Sequence, residues 1–380
     1  MPNHKKLFII IATITLLISA LSGCANRTEM ADTSGLVPSG SMKLSYATEF
    51  SVDYFEGGYK LVTLKDGSRF LLIPEGAVKP EGLSSDIVPL FMPIKDIYLC
   101  ATSSMCLFDA LGRLDAIRFS GTKQDGWYIK NASKAMKEGR IIYAGKYSEP
   151  DYEMLISSGC PLAIESMMIG HASEVREQLE RLGIAVLTDQ SSNEEHPLGR
   201  AEWIKLYGAL LDEEKKAEEI FRRQADILDE VSNMEHSGRT VAFFYISSNG
   251  RVIARKTGDY VSRMIDLAGG KYVFEDLGDP SSRTSTVTIE METFYKTARD
   301  ADVLIYNSAI AGEIGTLDEL VSKHPLMREF KAVKNGNVWC TEKSMYQETT
   351  ELGEMIRSLN LIFGDIGQNL DEVPFFYRLP

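Results

Sequence analysis

From Gly199 to about Met234, apolar side chains return every three or four positions: Trp203, Leu206, Tyr207, Leu210, Ala217, Phe221, Leu228 and Val231. That spacing gives a helix with one buried stripe. Pro197 stands just ahead of it and Ser237-Gly238 closes it. The pairs Asp212/Lys216 and Glu219/Arg223 fall at i, i+4 in the favourable order. The pattern predicts one helix of roughly 50 Å, at about 1.5 Å per residue. Before it, residues 50–74 alternate with period two, broken by Gly57-Gly58 and by Asp66-Gly67. They predict a β-meander.

The remaining pattern is a βα alternation written twice. Residues 94–99 form an apolar strand, Thr102, Ser103 and Ser104 precede a helix ending at Leu111-Gly112, and 114–119 form a second strand. The later copy runs strand 240–246, turn 247–250, helix 260–268 and strand 272–274. Helix 151–156 with strand 160–165 matches helix 292–298 with strand 302–306. Helix 173–182 with strand 184–187 matches helix 317–330 with strand 338–340. The expected fold is α/β: two Rossmann-like βα lobes with mainly parallel sheets, an N-terminal β-meander, and one long bridging α-helix. The lobes are placed at 46–196 and 237–380, with the bridge at 197–236.

The first 23 residues have a different character. His4, Lys5 and Lys6 precede an apolar run over residues 7–20, too short for a stable membrane span and suited to an export signal. Leu21-Ser22-Gly23-Cys24 resembles a bacterial lipoprotein box, which implies lipidation of Cys24 and an extracytoplasmic, membrane-anchored protein. Residues 24–45 are polar and aperiodic and read as a flexible tether. Cys100, Cys106, Cys160 and Cys340 match no Cys-x-x-Cys spacing. They are read as buried free thiols, with a Cys100–Cys106 bridge the alternative.

Composition narrows the function. Over 380 residues, 44% are hydrophobic and 25% charged, with a net charge of −13. These values fit a globular protein and argue against nucleic-acid binding. No Gly-x-Ser-x-Gly, His-Glu-x-x-His, P-loop or dinucleotide fingerprint occurs, so no enzyme is announced. No resident cofactor or metal is expected, because no two of the five histidines have ligand spacing.

The order of elements, with the text Pro150-Asp151-Tyr152-Glu153-Met154-Leu155, the stretch from Glu195 to Trp203, and Glu292-x-Phe-Tyr-x-x-Ala-x-x-Ala-Asp302, resembles the substrate-binding proteins of ABC importers. The likeness is to the helical-backbone class that handles ferric siderophores, cobalamin and haem, and it covers roughly residues 90–370. The resemblance implies a monomer that captures a small metal chelate and delivers it to a permease. A ferric siderophore is the expected cargo, with haem or cobalamin, and a lipid-anchored sensor or enzyme on the same fold, as the alternatives. It also implies one exposed carboxylate per lobe for permease arginines: Glu153 in the first, and Glu292 or Glu290 in the second.

Loops after the strands supply the candidate ligand contacts: Ser103, Ser104, Trp127, Tyr128, Met167, Arg251, Arg255, Lys256 and Tyr346. Arg251, Arg255 and Lys256 cluster near a turn and suit an anionic, aromatic chelate through charge and stacking. Met167, Met168 and His171 are the residues that fit axial ligation of haem.

Overall fold

The computed structural model describes residues 35–279, 282, 284–364, 370 and 372–380. The export signal, Cys24 and the first part of the tether lie outside the described residues. Five strands come first: β1 (Pro38–Ser41), β2 (Phe50–Phe55), β3 (Lys60–Leu64), β4 (Arg69–Ile73) and β5 (Ile87–Phe91). They form one sheet in sequence order, antiparallel except for the parallel pair β4/β5. Alternation buries Val52, Val62, Leu64, Phe70 and Leu72 in the main core. The opposite face holds Phe55, Leu61, Leu71 and Ile73 in a core of their own.

The tether therefore ends earlier than its composition predicts. Pro38–Ser41 is already a strand, and residues 45–49 are fixed by backbone donors. The N–H groups of Ser45, Tyr46 and Ala47 donate to the fully buried Glu202 carboxylate, and those of Thr48 and Glu49 donate to Glu194. Side-chain polarity carries no trace of these backbone bonds.

The first lobe contains β6 (Ile97–Leu99), α1 (Met105–Leu111), β7 (Ile117–Ser120), α2 (Lys130–Lys137), β8 (Ile142–Tyr143) and the small hairpin β9 (Gly145–Lys146) and β10 (Glu149–Pro150). It continues with α3 (Tyr152–Ser157), β11 (Leu162–Ser166), α4 (Ser173–Arg181) and β12 (Ala185–Asp189). Its main sheet is wholly parallel, in the order β12-β11-β6-β7-β8.

The bridge departs from the expected single helix. It is two helices, α5 (Pro197–Leu211) and α6 (Glu214–Ser232), with Asp212 in the left-handed region at φ 56° between them. Lys60 holds the corner: its Nζ donates to the Ala209 carbonyl at 3.0 Å and pairs with Asp212 at 2.6 Å and Glu214 at 2.5 Å. The helix α6 turns back beside α5, so that Lys205 pairs with Glu218 and lies over the Phe221 ring. The stretch from Leu210 to Ala217 fits two helical turns, so the apolar period runs through the break without registering it. Asp212 binds Lys60 and Lys216 donates to the Leu111 carbonyl, which replaces the expected Asp212/Lys216 pair.

The second lobe contains β13 (Thr240–Ile246), β14 (Val252–Arg255), α7 (Tyr260–Leu267), β15 (Lys271–Tyr272), β16 (Thr286–Ile289), α8 (Met291–Ala298) and β17 (Val303–Tyr306). It ends with α9 (Ser308–Ala311), α10 (Leu317–Lys323), α11 (Lys331–Lys334), β18 (Val338–Thr341), α12 (Leu352–Gly364), β19 (Glu372–Val373) and β20 (Phe376–Arg378). The parallel core β15-β13-β17-β18 repeats β7-β6-β11-β12, as the duplication predicts. Antiparallel strands flank it, so this sheet is mixed. The reason is local: Gly250, at φ 78°, reverses the chain directly from β13 into β14.

Candidate functional site

The loops leaving the parallel strands of the two lobes meet. Gln347, beyond β18, accepts a hydrogen bond from the Tyr128 N–H at 2.9 Å and donates to the Gly126 carbonyl at 2.8 Å, beyond β7. On the other flank a cleft of about 330 Å³ separates Ser192, Asn193 and Glu195 from Lys256, Thr257 and Tyr260. Glu49 and Lys65 of the N-terminal sheet form its third wall and pair with each other at 2.7 Å. Packing between the lobes continues where α1 meets residues 349–351. There, burial with Glu351 and Asp109 nearby raises the Glu348 carboxyl to about 7.

Among the predicted ligand residues, Lys256 lines this cleft, its Nζ donating to the Ser282 carbonyl at 2.6 Å. Tyr128 stands at the lobe junction, 44% exposed. Met167 is half-buried, its sulfur 4.0 Å from the Asn193 amide, and the adjacent Met168 is 48% exposed. Ser103 is half-buried and its carbonyl accepts from the Cys106 thiol.

Other predicted residues are committed elsewhere. Ser104 is fully buried, and its hydroxyl, at 2.5 Å, and that of Tyr207, at 2.6 Å, both donate to Asp189, the two hydroxyl oxygens lying 2.8 Å apart. This network ties α1 and β12 to α5. The Trp127 indole is a core group that donates to Ser120. Arg255 forms a buried bidentate pair with Asp259, at 2.7 and 2.8 Å. Asp259 also caps α7, and the Tyr260 ring has the guanidinium of Arg200 of α5 over it at 4.0 Å and that of Arg255 at 5.3 Å. The Tyr346 hydroxyl accepts from the Asn307 amide at 2.8 Å, and burial raises its phenol well above the usual value. Arg251 points outward and pairs with Glu290 at 2.6 Å. The cluster of three cations that the sequence suggested is thus dispersed, each held by a different partner: Arg251 by Glu290, Arg255 by Asp259 and Lys256 by the Ser282 carbonyl.

Sequence reasoning missed Ile310, Gln347, Glu49 and Lys65. Ile310, at 57% exposure, follows β17 much as Met168 follows β11, the equivalent strand of the first copy. Aligning the repeats would have found it. The two bonds of Gln347 depend on tertiary placement and leave no local signal.

The predicted docking carboxylates sit in matching places. Glu153 lies in the first turn of α3 and Glu292 in the first turn of α8; both are exposed and without a polar partner among the described residues. Asp151 does the capping of α3, accepting from the Met154 N–H, which leaves Glu153 uncommitted. Glu290 is held by Arg251. All four described cysteines are free. Among the described residues no group of three or more His, Cys, Asp or Glu is placed to hold a metal ion, and no helix is long and apolar enough to cross a membrane.

A family model described as periplasmic binding protein matches residues 121–344, more than half of the chain. An uncharacterized lipoprotein of Methanocaldococcus jannaschii is 26% identical, with 90% of this chain and 89% of that protein covered. The petrobactin-binding protein of Bacillus subtilis superposes with a TM-score of 0.58 at 16% identity, over 80% of this chain and 98% of that one. A periplasmic haem-binding protein of Pseudomonas aeruginosa gives 0.59 at 16% identity, over 76% and 99%.

Proposed function

The chain belongs to the periplasmic binding protein family, and from that premise we propose that it captures a small metal chelate outside the cell and hands it to an ABC permease. The carrying observation is the duplicated pair Glu153 and Glu292, exposed and, among the described residues, without a polar partner in the first turns of equivalent helices. Two carboxylates fixed on a rigid body select two arginines by spacing, giving orientation more than raw affinity. Glu290 is the weaker candidate, since docking through it would require breaking its pair with Arg251. The cleft between the strand exits receives the cargo, and modest closure about α5 buries it. Cys24 carries the lipid that keeps a single chain at the membrane. Nothing in this cycle transforms the cargo chemically.

A haem or corrinoid cargo is the second reading, supported by Met168 and His171, both exposed on the turn after β11. In cells carrying the cognate permease, Glu153→Ala with Glu292→Ala should abolish uptake while leaving cargo affinity within about twofold of wild type. Uptake that survives the double substitution refutes the docking assignment.

A further inference from the structure

We infer that the N-terminal sheet is part of the cargo site: it walls the cleft on a third side, and Lys65, together with Lys256 of the second lobe, receives the carboxylate oxygens of a compact, hydrophilic hydroxycarboxylate chelate. This rests on the capture reading above and adds which part of the chain selects the cargo, and by what chemistry.

The placement of the wall comes first. Glu49 precedes β2 and Lys65 follows β3, and both line the cleft. The register of the two strands sets Phe50 opposite Leu64, so Glu49 and Lys65 are neighbours, and the Lys65 N–H donates to the Glu49 carbonyl at 2.9 Å. The wall is also fixed to the loop that leaves the first lobe. The N–H groups of Thr48 and Glu49 donate to Glu194 at 2.9 and 3.0 Å, and the Trp203 indole of α5 donates to the same carboxylate at 3.0 Å. Residues 49 and 65 therefore reach the cleft on a braced support, as precise recognition requires. Neither lies within residues 121–344, the span of the family match.

The lining sets the chemistry. Ser192, Asn193, Thr257 and Ser285 bring hydrogen-bonding side chains, and no aliphatic side chain lines the cleft among the described residues. Tyr260 is the one aromatic residue there, and it is buried with two guanidinium groups over its ring. An apolar macrocycle has no wall to pack against. Glu49 is paired with Lys65, Glu194 is taken up by N–H donors, and Asp259 is paired with Arg255. Lys256 meets only a neutral carbonyl, that of Ser282. Lys65 spends one of its three donors on Glu49, and its side chain is 61% exposed. Both ammonium groups thus keep donors for an anionic oxygen. Glu195, exposed and without a hydrogen bond or ion pair among the described residues, suits the hydroxyl donors of the same molecule. A cleft of about 330 Å³ lies at the small end of the range for ligand sites.

The test is calorimetric titration of the full-length chain in detergent with ferric citrate, a neutral ferric trihydroxamate and haem. Ferric citrate, compact and carrying carboxylates and hydroxyls, should bind at least about tenfold more tightly than either of the others. Lys65→Ala and Lys256→Ala should each weaken it by about tenfold or more, the scale of one hydrogen bond to a charged group. Glu49→Gln keeps an oxygen for Lys65 and removes the competing charge, so it should bind ferric citrate as tightly as wild type or more tightly. A pair that only braced the sheet would instead lose affinity in both variants, in step with a lower unfolding midpoint. That parallel loss, or a Lys65→Ala chain that binds like wild type, overturns the inference and leaves the capture reading standing. Haem or the trihydroxamate binding as tightly as ferric citrate overturns it as well. Silence toward all three probes overturns the capture reading and this inference with it.

Discussion

Glu165, near the end of β11, is fully buried, and among the described residues no ion pair and no N–H or O–H donor meets its carboxylate, the Cys100 thiol being its one polar neighbour. Burial raises it to about 7, with the Cys100 thiol acting in the opposite direction. The folded state then holds a proton that the unfolded chain releases near its ordinary value. The stabilisation is fully present below about pH 4.5 and is lost as pH rises through about 7. Glu165→Gln removes that dependence, so the variant should gain on wild type between those pH values by about 3 kcal/mol. Urea titrations at pH 4.5 and 8 check it; an equal difference at both would show that Glu165 is ionised in the fold. Residue identity makes Glu153, Glu292 and Lys256 legible as surface or cleft groups. It cannot show that Asp259 consumes Arg255, or that Asp189 consumes Ser104, because those partners are brought in by tertiary packing.

At the scale of elements, strands and short helices are legible because period two and the glycine stops are local signals. The corner at Asp212 is hidden, since the apolar period is continuous across it and Lys60, its anchor, comes from the N-terminal sheet. The strap over residues 45–49 is hidden for the same reason. Glu202 accepts its backbone N–H groups and also pairs with Lys205 at 3.0 Å. Glu202→Gln places amide hydrogens against those donors and should lower stability by about 3 kcal/mol. Hydrogen exchange should show amides 45–47 losing protection ahead of the meander. Unchanged protection there would mean that the strap is held by Glu194 and by the stacking of Tyr46 on His196.

At the scale of the molecule, the duplication is legible because order and spacing survive where individual motifs are weak. The bent bridge alters its mechanical consequence. A short, buried α5 packed against both lobes, with α6 folded beside it, limits hinge travel more than an extended rod would. Capture should therefore involve small closure, with most recognition preformed in the exit loops.

Native mass spectrometry of the full-length chain, incubated with the low-molecular-mass fraction of its own culture medium, tests capture without presuming the cargo. The account predicts one non-covalent small-molecule adduct per chain, released unchanged. A chain that retains nothing, or that returns the molecule chemically altered, contradicts it.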